Sequence, residues 1–253
     1  MTKEIPILFS SEMVEAIWNG TKTQTRRILK PMPSQREWLS ERALSNASDN
    51  CEIFNHQKTS DLWVQLYFKD SDNPKSPLTC VKSPYQVDDA LWVREKFYAY
   101  GKWIKDGLSS KGKQKWRFKD LTKPDFEYQY FDNPPQKIEK GRGEIGWYGR
   151  SSLFMPKVAC RIKLKIKNVR CERLQSIGES DAFKEGVKYC QFGENFQGQY
   201  QYNGYMDYID EMGVDNIFDS PFDSFKSLWR SIHKNDSWDK NPFVWVIEFE
   251  RIA

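Results

Sequence analysis

Between Val158 and Val169 the chain alternates by strict parity. Val158, Cys160, Ile162, Leu164 and Ile166 fall on one side, and Arg161, Lys163, Lys165 and Lys167 on the other. Successive side chains of a strand point to opposite faces, so this period predicts a long strand with one buried face and one uniformly basic face. Any half-buried strand has a polar solvent face, and that is the plain reading of the four cations. At a rise of ~3.3 Å per residue they stand about 6.6 Å apart, close to the repeat of a nucleic-acid backbone. Arg161, Lys163 and Lys165 are therefore candidate phosphate contacts.

The remaining elements are shorter. Ile5-Pro6-Ile7-Leu8-Phe9 suits a buried strand, and Ser10 or Ser11 then caps a helix with Met13, Val14, Ile17 and Trp18 on one face. Gly20 ends that helix and delivers Lys22-Thr23-Gln24-Thr25-Arg26-Arg27 to the surface as a loop. A hairpin-like piece is expected around Leu62–Phe68. Asp88-Asp89 reads as a turn entering a strand at Ala90. Ser176 and Glu179 are spaced as a capping box for a helix carrying Ile177, Ala182 and Phe183, stopped by Gly186. Phe222, Phe225, Leu228, Trp229 and Ile232 mark an amphipathic helix, and residues 242–252 return as a final strand. Long strands, short helices and no repeated βαβ unit indicate an α+β fold, a small mixed barrel and not a doubly wound sheet. The reading is one domain over 1–253, with insertions at about 31–85, 101–145 and 188–220.

Composition narrows the function classes. No apolar run approaches the ~20 residues that span a bilayer, so the expectation is a cytoplasmic protein with no membrane partner. Cys51, Cys80, Cys160, Cys171 and Cys190 are widely spaced and supplemented only by His56 and His233; they read as reduced thiols and not as a metal site. No motif calls for a cofactor. The net charge of +4 is modest, but its cations concentrate at 22–30, 102–119, 137–142 and 157–170, while Asp207, Asp210, Glu211, Asp215, Asp219 and Asp223 form a late acidic stretch. Such asymmetry permits a basic face turned toward phosphates. Trp103 and Trp116, set among Lys102, Lys105, Lys113, Lys115 and Arg117, either pack or stack bases of a single strand.

With two distant histidines and no nucleophile elbow, His-assisted and zinc-assisted hydrolysis have little support. A lysine-centred site remains. Partial burial and the neighbouring Arg26 and Arg27 would lower the pKa of Lys22, making it a base toward the Thr25 hydroxyl. Glu185 would complete the set as proton donor or as a partner of Lys22. Arg26 and Arg27 either bind a substrate phosphate, the preferred reading, or pair with acids such as Glu95. Arg94 and Glu95 read as a structural ion pair.

Gly20-x-Lys22-Thr23-x-Thr25-x-Arg27 and Asp89-x-Leu91-Trp92-Val93-Arg94-Glu95, taken in order with Met155-Pro156, Ser180-x-Ala182-x-x-Glu185-Gly186 and Asn241–Phe249, resemble the ASCH family of PUA-like β-barrels, in its longer phage and prophage form. These motifs cover about half the chain. The resemblance implies a mixed barrel acting on RNA or modified nucleosides. Some small ASCH proteins remove the acetyl group from N4-acetylcytidine with a lysine acceptor, a threonine nucleophile and a glutamate donor. By motif position these roles fall on Lys22, Thr25 and Glu185. Other relatives bind or cut RNA, so the resemblance carries the fold more safely than the activity.

Overall fold

A computed structural model describes residues 2–30, 47–57, 60–69, 77–123, 126–192, 202–209, 217–233 and 236–252. Parts of the expected insertions at 31–85 and 188–220, together with Asp210, Glu211 and Asp215, lie outside these residues. The strands begin with β1 (Glu4–Leu8), β2 (Gln24–Ile28), β3 (Ala47–Asn55), β4 (Leu62–Phe68) and β5 (Pro77–Lys82). They continue as β6 (Ala90–Arg94), β7 (Phe97–Leu108), β8 (Gln114–Asp120), β9 (Gln129–Tyr130) and β10 (Gly146–Arg150). The last are β11 (Lys163–Arg173), β12 (Tyr189–Phe192), β13 (Tyr202–Met206), β14 (Ile217–Phe218) and β15 (Phe243–Arg251). Four α-helices accompany them among the described residues: α1 (Ser11–Trp18), α2 (Glu179–Lys184), α3 (Pro221–Ile232) and α4 (Asp236–Asp239). The fold is mixed α+β, and no sheet closes on itself among the described residues. No described helix is long and apolar enough to cross a membrane.

The chain divides into two compact units, one of Met1–Lys3, Glu15–Ala90 and Leu164–Ile252, the other of Glu4–Val14 and Leu91–Lys163. In the first, β15 lies between β11 and β2 and is antiparallel to both. Phe243, Val244, Trp245, Val246 and Ile247 are all buried, which is why β15 reads as a continuous apolar run and not as an alternation. Strands β3, β4 and β5 form a separate antiparallel sheet, with the expected Leu62–Phe68 segment at its centre. Helix α3 starts at Ser220, whose hydroxyl accepts from Phe222 N, and has Pro221 in its first turn. It packs Phe225, Leu228 and Trp229 inward and leaves Ile232 exposed.

Three local expectations are corrected. Residues 157–159 form a 3-10 turn, Val158 is exposed, and β11 starts only at Lys163. At Lys167 a bulge inserts one residue against β15, so Lys167 and Asn168 both face solvent and the buried parity moves from Leu164 and Ile166 to Val169, Cys171 and Arg173. The capping box at Ser176 does not form either. Residues 174–176 are a 3-10 turn, and α2 begins after Gly178 without a side-chain cap.

In the second unit β7 pairs with β10 on one edge and with β8 on the other, and β9 adds to the start of β7. The β7–β8 pair is a long hairpin. Its turn is closed by Ser109 N to Lys113 O and Gly112 N to Ser109 O, with Gly112 at φ +72°. A Cβ at Gly101 would lie 2.3 Å from Lys119 O and 2.7 Å from the Phe118 ring, so the two strands meet at the hairpin base only because residue 101 has no side chain.

Candidate functional site

The segment expected as a surface loop is interior except at Thr23, which is exposed, and Arg27, which is half-buried. Lys22, Gln24, Thr25 and Arg26 are all buried, and from Gln24 the chain is strand β2. Gly20 adopts φ +75° and ends α1, after which Lys22 N donates to Ala16 O at 3.0 Å. The chain is thereby folded back on the last turn of the helix, where Ala16 and Ile17 are buried but Trp18, expected on the same face, is exposed. Lys22 then bridges Glu185 as an antiparallel backbone pair, and Thr23 N donates to Lys184 O at 3.0 Å.

Glu185 closes α2, and Gly186 follows at φ +82°. A Cβ on residue 186 would stand 2.7 Å from Lys22 Cβ and 2.9 Å from Ala16 Cβ. Both the left-handed backbone and the close approach therefore require glycine here. The approach places the Lys22 amine on Glu185 twice, Nζ donating to the backbone O at 2.6 Å and to Oε2 at 3.1 Å.

The other carboxylate oxygen of Glu185 is shared. Arg26 Nη1 donates to Glu185 Oε1 at 2.9 Å, while its Nη2 donates to Glu172 Oε1 at 2.5 Å and Asp181 Oδ2 at 3.3 Å. Arg170 extends the chain of charges to Asp181, Glu172 and Glu248. The preferred reading of Arg26 as a phosphate contact is corrected: its guanidinium is enclosed by carboxylates, none of which is Glu95. Burial lowers the pKa of Lys22 from its usual value against the opposing pull of Glu185, and the Arg27 and Arg26 charges lower it further. Burial likewise lowers that of Arg27, which lies in the field of Tyr85 and Glu185. Burial raises the carboxyl of Asp181, but the Arg170 and Arg26 charges outweigh it and hold the group below its ordinary range.

Lys22 and Glu185 thus stand within hydrogen-bond reach of each other. Thr25 is buried opposite Ile247 of β15, and strand alternation directs its side chain away from the face that Gln24 and Arg26 share. The carboxylates Glu172 and Asp181 and the cation Arg170 are additions that sequence reasoning did not single out. For Arg170 and Glu172 the signal lay in the phase change at Lys167, which turns them off the core face.

Each cation of the basic stripe meets a carboxylate. Arg161 is held by both oxygens of Glu95, at 2.8 and 2.9 Å, and by Asp132 at 2.8 Å, and it lies over the Tyr130 ring at 4.0 Å. Lys163 pairs with Glu4, Lys165 with Asp88 and Lys167 with Glu250. Arg94, expected beside Glu95 as its ion-pair partner, instead donates to Leu153 O. Compared with known proteins, the chain matches no family model, no curated protein and no solved structure.

Proposed function

We propose that the chain is an ASCH-type, PUA-like protein acting on RNA or modified nucleosides, and that its reaction is hydrolysis of the amide of an N4-acetylcytidine-type substrate. The observation that carries this reading is the buried 3.1 Å contact between Lys22 Nζ and Glu185 Oε2, with the lysine pKa lowered by burial. The lowered pKa favours the amine form of Lys22, the form that accepts a proton, and Glu185, in hydrogen-bond contact with it, is the group to which the resemblance gives the donor's role.

The resemblance gives the nucleophile's role to Thr25, but alternation along β2 turns that side chain away from Lys22, and the step this geometry supports uses water instead. Water gives a proton to Lys22 Nζ as its oxygen bonds the acyl carbon; the carbon–nitrogen bond breaks, and the exocyclic nitrogen takes the proton of Glu185, so that amide and water give acetic acid and cytidine. Arg27 is the remaining candidate for positioning substrate.

Incubation with N4-acetylcytidine, followed by chromatographic detection of cytidine, tests the proposal. Turnover that is lost in Lys22→Ala supports it, and wild-type turnover no greater than that of Lys22→Ala overturns it. A second reading is favoured by the pairing of Lys22 and Arg26 with carboxylates: a module that binds RNA or a nucleotide without deacylating it. Saturable binding of cytidine without turnover distinguishes the two.

A further inference from the structure

The β7–β8 hairpin concentrates charge that the rest of the chain does not balance. Residues 101–119 hold seven Lys and Arg against one Asp, a local +6 in a chain whose total is +4. The hairpin register divides it into two faces. Trp103, Lys105, Trp116 and Phe118 share one face, where Trp103 meets Phe118 edge-on and Arg150 lies over both rings at 4.8 and 4.4 Å. Lys102, Lys115, Arg117 and Lys119 share the other, with Lys102 directly opposite Lys119. Like charges placed opposite each other destabilise a strand pair, so folding does not account for this arrangement.

Among the described residues Lys102, Lys115 and Lys119 make no ion pair, and Arg117 has only exposed Asp106 at 3.6 Å. Alternate residues of β8 repeat at about 6.6 Å, the spacing of phosphates along an extended strand. At the base of the same face stand Tyr100 and its cross-strand neighbour Trp147, with Phe126 packed on Tyr100 at 4.3 Å and 40% exposed. Cations in line followed by an open ring are the two elements by which a protein holds a single strand, the first through phosphates and the second by stacking.

We propose that the Lys102–Lys119 face of the β7–β8 hairpin binds a single strand of nucleic acid along its phosphodiester backbone, with a base against Phe126. Trp103 and Trp116, the rings the sequence suggested for stacking, are covered by Arg150 and Arg142 respectively. The proposal is independent of the deacylation reading, because it needs neither Lys22 nor an acetylated base.

Fluorescence anisotropy of labelled oligouridylate and oligothymidylate with the full chain tests it. Five cations, Lys113 included, give a logarithmic salt slope of about −3.5, or roughly a hundredfold loss of affinity between about 50 and 200 mM salt, equal for the two oligonucleotides. Changing Lys102, Lys115 and Lys119 to Glu abolishes binding. Changing them to Gln, the substitution to use if the Glu variant does not fold, lowers the slope by about 2. Phe126→Ala weakens binding roughly tenfold and leaves the slope unchanged. Changing Lys163, Lys165 and Lys167 to Gln has little effect. A slope near zero, a hairpin variant that binds like wild type, or capture of phosphatidylserine vesicles without oligonucleotide would each overturn the proposal.

Discussion

The Arg161–Lys167 stripe and the β7–β8 hairpin look alike in sequence, since each carries cations on alternate residues of a strand. They differ in what surrounds the charge. In the stripe every cation meets a carboxylate, and each comes from a distant part of the chain: Glu95, Glu4, Asp88 and Glu250. In the hairpin Lys102 faces Lys119, and among the described residues of that face Arg117 alone has a carboxylate, Asp106. Parity fixes which way a side chain points, but the anion that neutralises it is supplied by tertiary pairing. The buried network around Glu185 extends the first case, with Lys22 and Arg26 sharing one carboxylate in the interior.

Removing the shared anion tests whether the neutralised charges depend on one another. Glu185→Ala leaves the Lys22 and Arg26 cations facing each other without their shared anion, and should cost about 3–5 kcal/mol in urea unfolding. A loss within the range of ordinary surface substitutions would mean that the enclosed charges are not interdependent. Next comes Gly186→Ala, at about 1–3 kcal/mol from left-handed strain together with the clash on Lys22 and Ala16. Gly20→Ala should cost less, because residue 20 has the same backbone hand and open space around it. The difference between the two glycine variants measures the close approach alone.

A third test reads the titration of Lys22. Its folded pKa is lowered, so between that value and 10.5 the unfolded chain binds more protons than the folded one. Stability contributed at this position therefore rises with pH across that window, and Lys22→Met should flatten the rise in a series of urea midpoints. The limb of kcat/KM that depends on neutral Lys22 should also rise with pH and level off below 10.5. Single neutralisations on the two basic strands should act in opposite directions. Lys119→Gln should raise the melting temperature slightly by relieving its opposition to Lys102, whereas Lys163→Gln, which loses Glu4, should lower it slightly. Equal shifts would remove the distinction between the two basic strands.

Much of the local structure was legible because it follows from periodicity and caps. The Gly20 and Gly186 stops, the amphipathic α3 and the strand after Asp89 all appear where their residues put them. The start of β11 was misread because 3-10 turns can carry the same apolar parity as a strand for a few residues, as Val158 and Cys160 do. Lys22 and Glu185 were legible as a pair only through motif resemblance, being 163 residues apart. The exposure of the segment 22–26 was misjudged because charged side chains are seldom buried, and nothing local announces the carboxylates that make burial of these tolerable.

Gly186 leaves no room for a β-carbon beside that of Lys22, so the backbone of residue 186 closes on the base of the lysine side chain, and only the side chain's own torsions remain free to aim the amine. An arginine hung from that base would overshoot the Glu185 carbonyl, now 2.6 Å from Nζ, and an alanine would not reach it. Side-chain length at position 22 is thereby gauged by a backbone on the far side of the sequence.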